Sequence, residues 1–370
     1  MDTSKKRTVV VKIGSSLLVN DETGKLRMDF LYHLMNDVVT MKSRGFNVVL
    51  VSSGSVALGR RFGKVPPDAN LTLPQKQAAA ALGQPVLMAA YQNFANEHDF
   101  RTAQILITRH DFEDRKRFVN AEDTFEELIG QGIVPIVNEN DTLATKHLRV
   151  GDNDRLAAKV CHMVEADDLV ILTNVGGMLD ENKKIIPVIE TLDESIYAMA
   201  GGSSGVGTGG MVTKLQAGEI AQASGCRTHI TSGDCINPVV DALDGEREHT
   251  VIESNITPES ARHLWIATSL DVRGFLEIKE TSLDSLKLGR SLFSEDLQSV
   301  SGQFGRGDVV SINSGDQEVA RGIVAFNHFE AQALLERRSP DIFSVLGYNT
   351  RPDIVHKNDL AFLTAPTELI

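Results

Sequence analysis

The chain has 370 residues, of which 42% are hydrophobic and 24% charged, with a formal net charge of −13. That length suits two or three globular domains and excludes neither a large core nor a catalytic site. No apolar run reaches the roughly 18 to 20 residues of a membrane helix, and the acidic balance argues against nucleic acid or an anionic membrane surface as main partner.

Residues 1–7 are polar and lead straight into a strand, so no secretory signal is expected and the setting is read as cytoplasmic. Residues 9–13 form a short β-branched run ending in Gly14-Ser15-Ser16, and a helix is predicted over 28–43. Residues 46–51 repeat the strand pattern and end in Ser52-Ser53-Gly54-Ser55, followed by a helical stretch over 75–94. Further strands are predicted at 104–108, 133–137, 169–172 and 228–231, with helices at 120–130, 155–165 and 211–223 between them. Such alternation predicts parallel βαβ units and an α/β sandwich, with ligands at the carboxyl ends of the strands. After about residue 241 the pattern changes. Thr257-Pro258-Glu259-Ser260 reads as a helix start. Short strands at 299–304, 308–313 and 319–325 then predict a small, mostly-β domain. The expected division is a first domain over 1–255, a linker over 256–273 and a second domain over 274–360. Three cysteines, Cys161, Cys226 and Cys235, are odd in number and lack metal-binding spacing, which suits a reducing compartment.

The polar residues at the strand ends carry the chemistry. Lys12 interrupts an apolar run just before Gly14, whose amide can approach an anion closely. Ser52-Ser53-Gly54-Ser55 alone is an ordinary βα turn with a serine cap. Asn138-Glu139-Asn140-Asp141 and Gly151-Asp152-Asn153-Asp154 bring amides and carboxylates to neighbouring strand ends. Together they can bind an ammonium group, orient lysines or hold Mg²⁺, although one acid of the second cluster also suits a helix cap. The tract from Ser203 to Lys214 contains four glycines and opens the helix at 211–223, so loop amides, a helix N-terminus and Lys214 converge as in phosphate sites. Gly205-x-Gly207-x-x-Gly210 matches the dinucleotide fingerprint literally, and Asp234 lies at a suitable distance. The preceding segment, 192–200, reads as a helix rather than a strand, so that reading fails on context. No Gly-Lys-Ser/Thr occurs either, which excludes a Walker A loop. Two lysines, amide-rich turns and acids, without a nucleophilic His or Cys, describe phosphoryl transfer.

These stretches resemble the glutamate 5-kinases of the amino acid kinase family. The resemblance runs through Val11 to Ser16, Ser52-Ser53-Gly54, Lys76-Gln77, Ala80 to Gln84, Gln104 to Arg109, Asp114-Arg115, Arg117-Phe118 and Asn120. It continues through Pro135 to Thr142, Val150 to Asp154, Gly207 to Met211 and Thr213-Lys214. Ser299 to Asp308 resembles the PUA domain appended in that family. The resemblance implies a three-layer α/β sandwich with a mainly parallel central sheet (the amino acid kinase fold), followed by a PUA-like barrel. It implies ATP- and Mg²⁺-dependent phosphorylation of the side-chain carboxylate of L-glutamate, the first step of proline synthesis. Lys12 and Lys214 would hold the transferring phosphoryl group, Asp154 would orient them, and Gly14 and Gly54 would offer amides. Ser53, Asn138, Asp141 and Asn153 would bind glutamate. Lys12, Thr173, Asn174, Thr208, Gly209, Gly210, Met211, Val212, Thr213 and Lys214 would line the nucleotide site, with no metal ligand from the protein. Proline as feedback inhibitor, a downstream glutamyl phosphate reductase and a homodimer or homotetramer are further expectations from the family.

The segment Thr173 to Asp180 is shorter than the family's and closer to acetylglutamate kinases, and Ser55 stands where alanine is usual. Residues 275–370 carry 9 Lys and Arg against 14 Asp and Glu, a net of −5 that is a poor footprint for RNA. The alternatives are an acetylglutamate-type carboxylate kinase and a non-catalytic amino-acid sensor with an RNA-binding tail.

Overall fold

Residues alternate along the first strand between two separate apolar cores. In β1 (Thr8–Ile13), Val9, Val11 and Ile13 enter one core and Val10 the other. Neighbouring side chains of a strand point to opposite faces, so such a strand needs cover on both sides. A computed structural model, which describes residues 6–63, 70–143, 152–201, 210–337 and 342–363, supplies that cover as helices.

The chain divides into two compact units, Met1–Pro258 and Glu259–Ile370. In the first, β1 is followed by α1 (Ser15–Leu18), α2 (Met28–Ser43), β2 (Asn47–Ser52), α3 (Ser55–Phe62) and α4 (Leu73–Glu97). Next come β3 (Thr102–Ile107), α5 (Arg109–Glu113), α6 (Arg115–Gly130), β4 (Val134–Glu139), α7 (Asp152–Met163) and β5 (Asp168–Thr173). The unit closes with β6 (Val188–Ile189), α8 (Glu194–Met199), α9 (Met211–Ala223), β7 (Arg227–Ser232), α10 (Val240–Leu243) and β8 (Thr250–Ile252).

The strands form an eight-stranded sheet in the order β3-β4-β2-β1-β5-β7-β8-β6. Every ladder is parallel except that between β7 and β8. Leu31 and Leu34 of α2 and Tyr91 of α4 pack on the Val9 face; Phe125 of α6, Ala157 of α7 and Ala217 of α9 pack on the Val10 face. The result is three layers, in which each fully buried Leu or Phe contributes about 1.5–3 kcal/mol. The strands expected from apolar runs are all present. β6 and β8, with 2 and 3 residues, escape such a reading because they are too short for a periodic signal.

Two local features position the turn after β2. Gly54 adopts φ +104°, a left-handed conformation that favours glycine, and so turns the chain from β2 into α3. α3 and α4 then approach backbone to backbone. A Cβ on Gly59 would lie 1.7 Å from the Ala79 carbonyl oxygen, and one on Gly83 1.8 Å from that of Ser55.

At the amino ends of the strands, Asp168 is fully buried and joins Arg7 of the β1 end (2.6 Å) with Arg227 (2.9 Å) and His229 (3.2 Å) of β7. Burial alone would raise its carboxyl; the bonds from His229 and Arg7 outweigh burial and push it down to about 2.

In the second unit, α11 (Pro258–Ala267) begins at the boundary and leads into β9 (Val272–Ile278), α12 (Glu280–Lys287), β10 (Leu292–Phe293) and β11 (Leu297–Gly302). β12 (Val309–Ser314), β13 (Gln317–Ile323), α13 (His328–Arg337), α14 (Ile342–Leu346), β14 (Asp353–Val355) and β15 (Leu360–Phe362) complete it. A five-stranded sheet, β11-β9-β12-β13-β15, and a two-stranded sheet, β10-β14, surround one core that includes Leu276, Ile312, Phe326 and Val355. Among the described residues, no helix of either unit is long and apolar enough to cross a membrane.

Candidate active site

Strand register explains where Lys12 goes. It follows Val10 by two residues and shares its face, the one covered by α7 and α9. There its ammonium lies 2.6 Å from Asp154 Oδ1, on the first turn of α7. Lys214, on the first turns of α9, lies 3.4 Å from the other oxygen, Asp154 Oδ2. The Thr213 hydroxyl, 2.8 Å from Asp154 Oδ2 and 3.0 Å from the Gly210 carbonyl, ties the start of α9 to the same carboxylate. All three charged side chains are at most 9% exposed, so two cations share one buried anion.

The electrostatics follow from that burial. Burial lowers the Lys12 ammonium from its ordinary value; Asp154 opposes the shift, while Lys214 adds to it. For Asp154, burial alone would raise the carboxyl, but Lys12, Lys214 and the hydrogen bonds from Lys12 and Thr213 hold it below its usual range. The cluster is left with one net positive charge beside Gly14. A Cβ on Gly14 would sit 4.0 Å from Lys12 Nζ, so the backbone here lies close to the ammonium. Gly210 caps α9, whose first turn holds no acidic residue, so no carboxylate of that turn opposes the attraction of the helix N-terminus for an anion.

A second, polar cluster lies over β2 and β4. Asn153 Nδ2 donates to Ser53 Oγ (2.8 Å) and to Asn138 Oδ1 (3.1 Å). Asn138 Nδ2 donates to Gln84 Oε1 (2.9 Å) and to Ser55 Oγ (3.3 Å), and the Ser55 hydroxyl donates to Asp141 Oδ2 (3.2 Å). Ser53 N donates to the Ile13 carbonyl at 3.3 Å, which joins the end of β2 to that of β1. Asn153 and Asp154 are consecutive on α7, so about 100° of helical rotation separates them and each serves one cluster.

The residues singled out from sequence thus fall into two neighbouring groups. Lys12, Asp154, Thr213 and Lys214 make the charged one; Ser53, Asn138, Asp141 and Asn153 make the polar one. Gly54 lies in the turn between β2 and α3. Thr173 ends β5, and Asn174 pairs with Ser16 at 3.1 Å rather than with either cluster. Met211 and Val212 are half-buried in the first turn of α9. Thr208 and Gly209, like the rest of the tract from 202 to 209 and Gly151, lie outside the described residues. Gln84 and Ser55 were not singled out as site residues. Ser55 belongs to the polar strand-end turn, but Gln84 lies inside a helix and reaches the cluster only because α3 and α4 approach so closely.

Comparison with known proteins agrees with this architecture. Residues 7–232 match the amino acid kinase family and residues 274–346 the PUA domain. The chain is 43% identical over 363 residues to a glutamate 5-kinase of Paramagnetospirillum magneticum, covering 96% of this chain and 97% of that protein. It is also 43% identical to a glutamate 5-kinase of a Ruegeria species, covering 97% and 99% respectively. Among solved structures, carbamate kinase from Giardia lamblia bound to AMP-PNP superposes with a TM-score of 0.51 at 20% identity, over 68% of this chain and 99% of that one. At that identity the superposition speaks for the fold alone. The matches over nearly the whole length show that the chain belongs to the amino acid kinase family and, within it, to the glutamate 5-kinases with an appended PUA domain.

Proposed function

We propose that this chain transfers the γ-phosphoryl group of ATP to the side-chain carboxylate of L-glutamate, forming L-glutamyl 5-phosphate and ADP in the first step of proline biosynthesis. The observation that carries the chemistry is the pair of buried lysines, Lys12 and Lys214, held by one carboxylate at the strand ends. The full-length similarity to glutamate 5-kinases carries the substrate.

An oxygen of the glutamate carboxylate attacks the γ-phosphorus, the bond to the β–γ bridging oxygen breaks, and that electron pair leaves on ADP. The carboxylate is ionised at neutral pH, so no general base is needed. What the protein must supply is positive charge around the equatorial oxygens and alignment of the two reactants. Lys12 and Lys214 supply the charge, Asp154 fixes where it sits, and the amides near Gly14 and Gly54 add donors. Both oxygens of Asp154 are already engaged, so Mg²⁺ enters as part of the MgATP substrate, held on the phosphates.

The order of the strands supports a division of labour. Ser53, Asp141 and Asn153, over β2 and β4, take glutamate, and Asn138 ties them together. Thr173 and Asn174 at the end of β5 and residues 210–214 at the start of α9, together with Thr208 and Gly209, take the nucleotide. Lys12 on β1 stands between them, at a topological switch point of the sheet. Proline as feedback inhibitor, a reductase that consumes the acyl phosphate, and assembly into homodimers or homotetramers in the cytoplasm belong to the same reading.

The test is ADP release with MgATP in the presence of hydroxylamine, which traps acyl phosphates, with L-glutamate or N-acetyl-L-glutamate as acceptor. Turnover with free glutamate alone, abolished by Lys214→Ala, is the expected result. Turnover confined to the acetylated acceptor would make this an acetylglutamate-type kinase, and none with either would leave a non-catalytic sensor.

A further inference from the structure

We propose that Gln84 and Ser55 are positioning residues: by taking the two protons of Asn138 they hold its carboxamide in place, and through it that of Asn153, whose oxygen is then presented to the ammonium group of the substrate. The inference rests on the glutamate reading above and concerns how that site distinguishes an α-ammonium.

One carboxamide of the polar cluster, that of Asn138, cannot be turned end for end. The backbone N–H of Glu139 donates to Asn138 Oδ1 at 2.9 Å. An amide side chain can be turned end for end, but a backbone N–H can only donate, so this contact fixes which end of Asn138 is oxygen. Asn138 Nδ2 must then face Gln84 Oε1 and Ser55 Oγ, at 2.9 and 3.3 Å. Gln84 is obliged to present its oxygen inward, and its Nε2 donates outward to Gln104 Oε1 at 3.1 Å. On the other side, Asn138 Oδ1 takes Asn153 Nδ2 at 3.1 Å, and the second proton of Asn153 goes to Ser53 Oγ at 2.8 Å.

Three primary amides, Asn153, Asn138 and Gln84, therefore donate head to tail in a single direction, ending on the oxygen of a fourth, Gln104. Asn138, only 2% exposed, spends both protons and both acceptor positions on the protein. It holds the site together without a valence left for a ligand. Among the described residues, the group that remains on Asn153 is its carbonyl oxygen, an acceptor suited to an ammonium and unsuited to a second carboxylate. Ser55 connects the same chain to Asp141, its hydroxyl accepting from Asn138 and donating to Asp141 Oδ2. Gln84 can take part only because Gly83 lets α4 press against the carbonyl of Ser55.

The test compares L-glutamate with glutarate, which has both carboxylates and no ammonium. For the full-length wild type and for Gln84→Leu, Gln84→Glu and Ser55→Ala, the KM for L-glutamate and the inhibition constant of glutarate are measured at saturating MgATP, with thermal melts alongside. Leaving one buried donor of Asn138 unpaired is expected to reduce the preference for glutamate over glutarate about tenfold in Gln84→Leu. Ser55→Ala, a smaller change that is the safeguard should Gln84→Leu misfold, is expected to act in the same direction. Gln84→Glu keeps the acceptor that Asn138 needs and is expected to retain most of the preference. Equal weakening of glutamate and glutarate would assign these residues a purely structural role and overturn the proposal. So would loss of preference to the same extent in Gln84→Glu and Gln84→Leu, or no loss in Gln84→Leu and Ser55→Ala. A wild type inert toward glutamate would instead sink the functional reading itself.

Discussion

Replacing Asp154 by asparagine tests the charged cluster directly, because shape is kept and only the charge is lost. In the folded protein the carboxylate has Lys12 at 2.6 Å and Lys214 at 3.4 Å, with all three side chains at most 9% exposed. Two unit charges about 4 Å apart attract by about 4 kcal/mol at an effective dielectric of about 20. Removing one member of a buried pair typically costs about 3–5 kcal/mol, since the partner is left without compensation. In a domain of this size that corresponds to a fall in melting temperature on the order of 10 °C. Lys12 can lessen the loss by releasing a proton. Burial already lowers the Lys12 ammonium, and Asp154 is what opposes that shift. Asp154→Asn is therefore expected to move the alkaline limb of the kcat profile to lower pH. It should also lower kcat by about two to three orders of magnitude, as for loss of a preorganised charge at a transition state. The assays are differential scanning calorimetry and ADP release from pH 6 to 10. A variant with wild-type melting temperature and an unshifted alkaline limb would refute the view that Asp154 keeps Lys12 charged.

Two further substitutions probe the scaffold. Asp37 of α2 accepts from the Val239 and Val240 amides at the start of α10, and burial is the largest of the effects that push its carboxyl up to about 6 from 3.8. The folded state then holds the proton more tightly than the unfolded one, so stability falls as pH rises from about 4 to about 6, by about 3 kcal/mol in all. Asp37→Asn keeps an acceptor for Val239 and cannot ionise, so urea midpoints measured across that window should become flat; an unchanged slope would assign the dependence elsewhere. Gly83→Ala places a Cβ 1.8 Å from the Ser55 carbonyl oxygen, which forces α3 and α4 apart. A loss of about 1–3 kcal/mol or more is expected from such overpacking, together with a raised KM for glutamate; wild-type stability and KM would show that the helices do not need this approach.

The kinase fold was legible wherever burial is periodic. Helices α2 and α9 span the same residues as their sequence pattern, and the six longer strands of the sheet follow their apolar runs. Lys12, Asp154 and Lys214 were also legible, because a lysine in an apolar strand and a glycine-rich helix start are local anomalies. Elements whose existence depends on a neighbour were not. β8 is three residues long and forms by pairing antiparallel with β7, and β6 exists only by pairing with β8. α4 runs through Pro85 and starts two residues before the pattern at 75–94, because Thr72 and Gln75 form a capping box there. Gln84 carried no signal beyond lying in the resembling stretch from Ala80. Glutamine within a helix is ordinary, and only the backbone contact made by Gly83 brings it to its partner.

The two consecutive residues Asn153 and Asp154 show why the site is built at a helix N-terminus rather than on a loop. Asn153 joins the amide chain over β2 and β4, whereas Asp154 joins the lysines of β1 and α9. In the proposed reading a rigid turn of α7 thus couples the group that orients the acceptor to the group that orients the charge on the donor. In the proposed reaction the protein contributes alignment and electrostatics rather than a nucleophile or base, so a shift of about 1 Å between these two groups is enough to cost much of the rate. Val10, Val49, Val51, Ala157 and Ala158 pack beneath that turn in one continuous core. The position of Asn153 relative to Asp154 is therefore set by the same apolar contacts that hold α7 on the sheet, which is where the fold and the chemistry depend on the same residues.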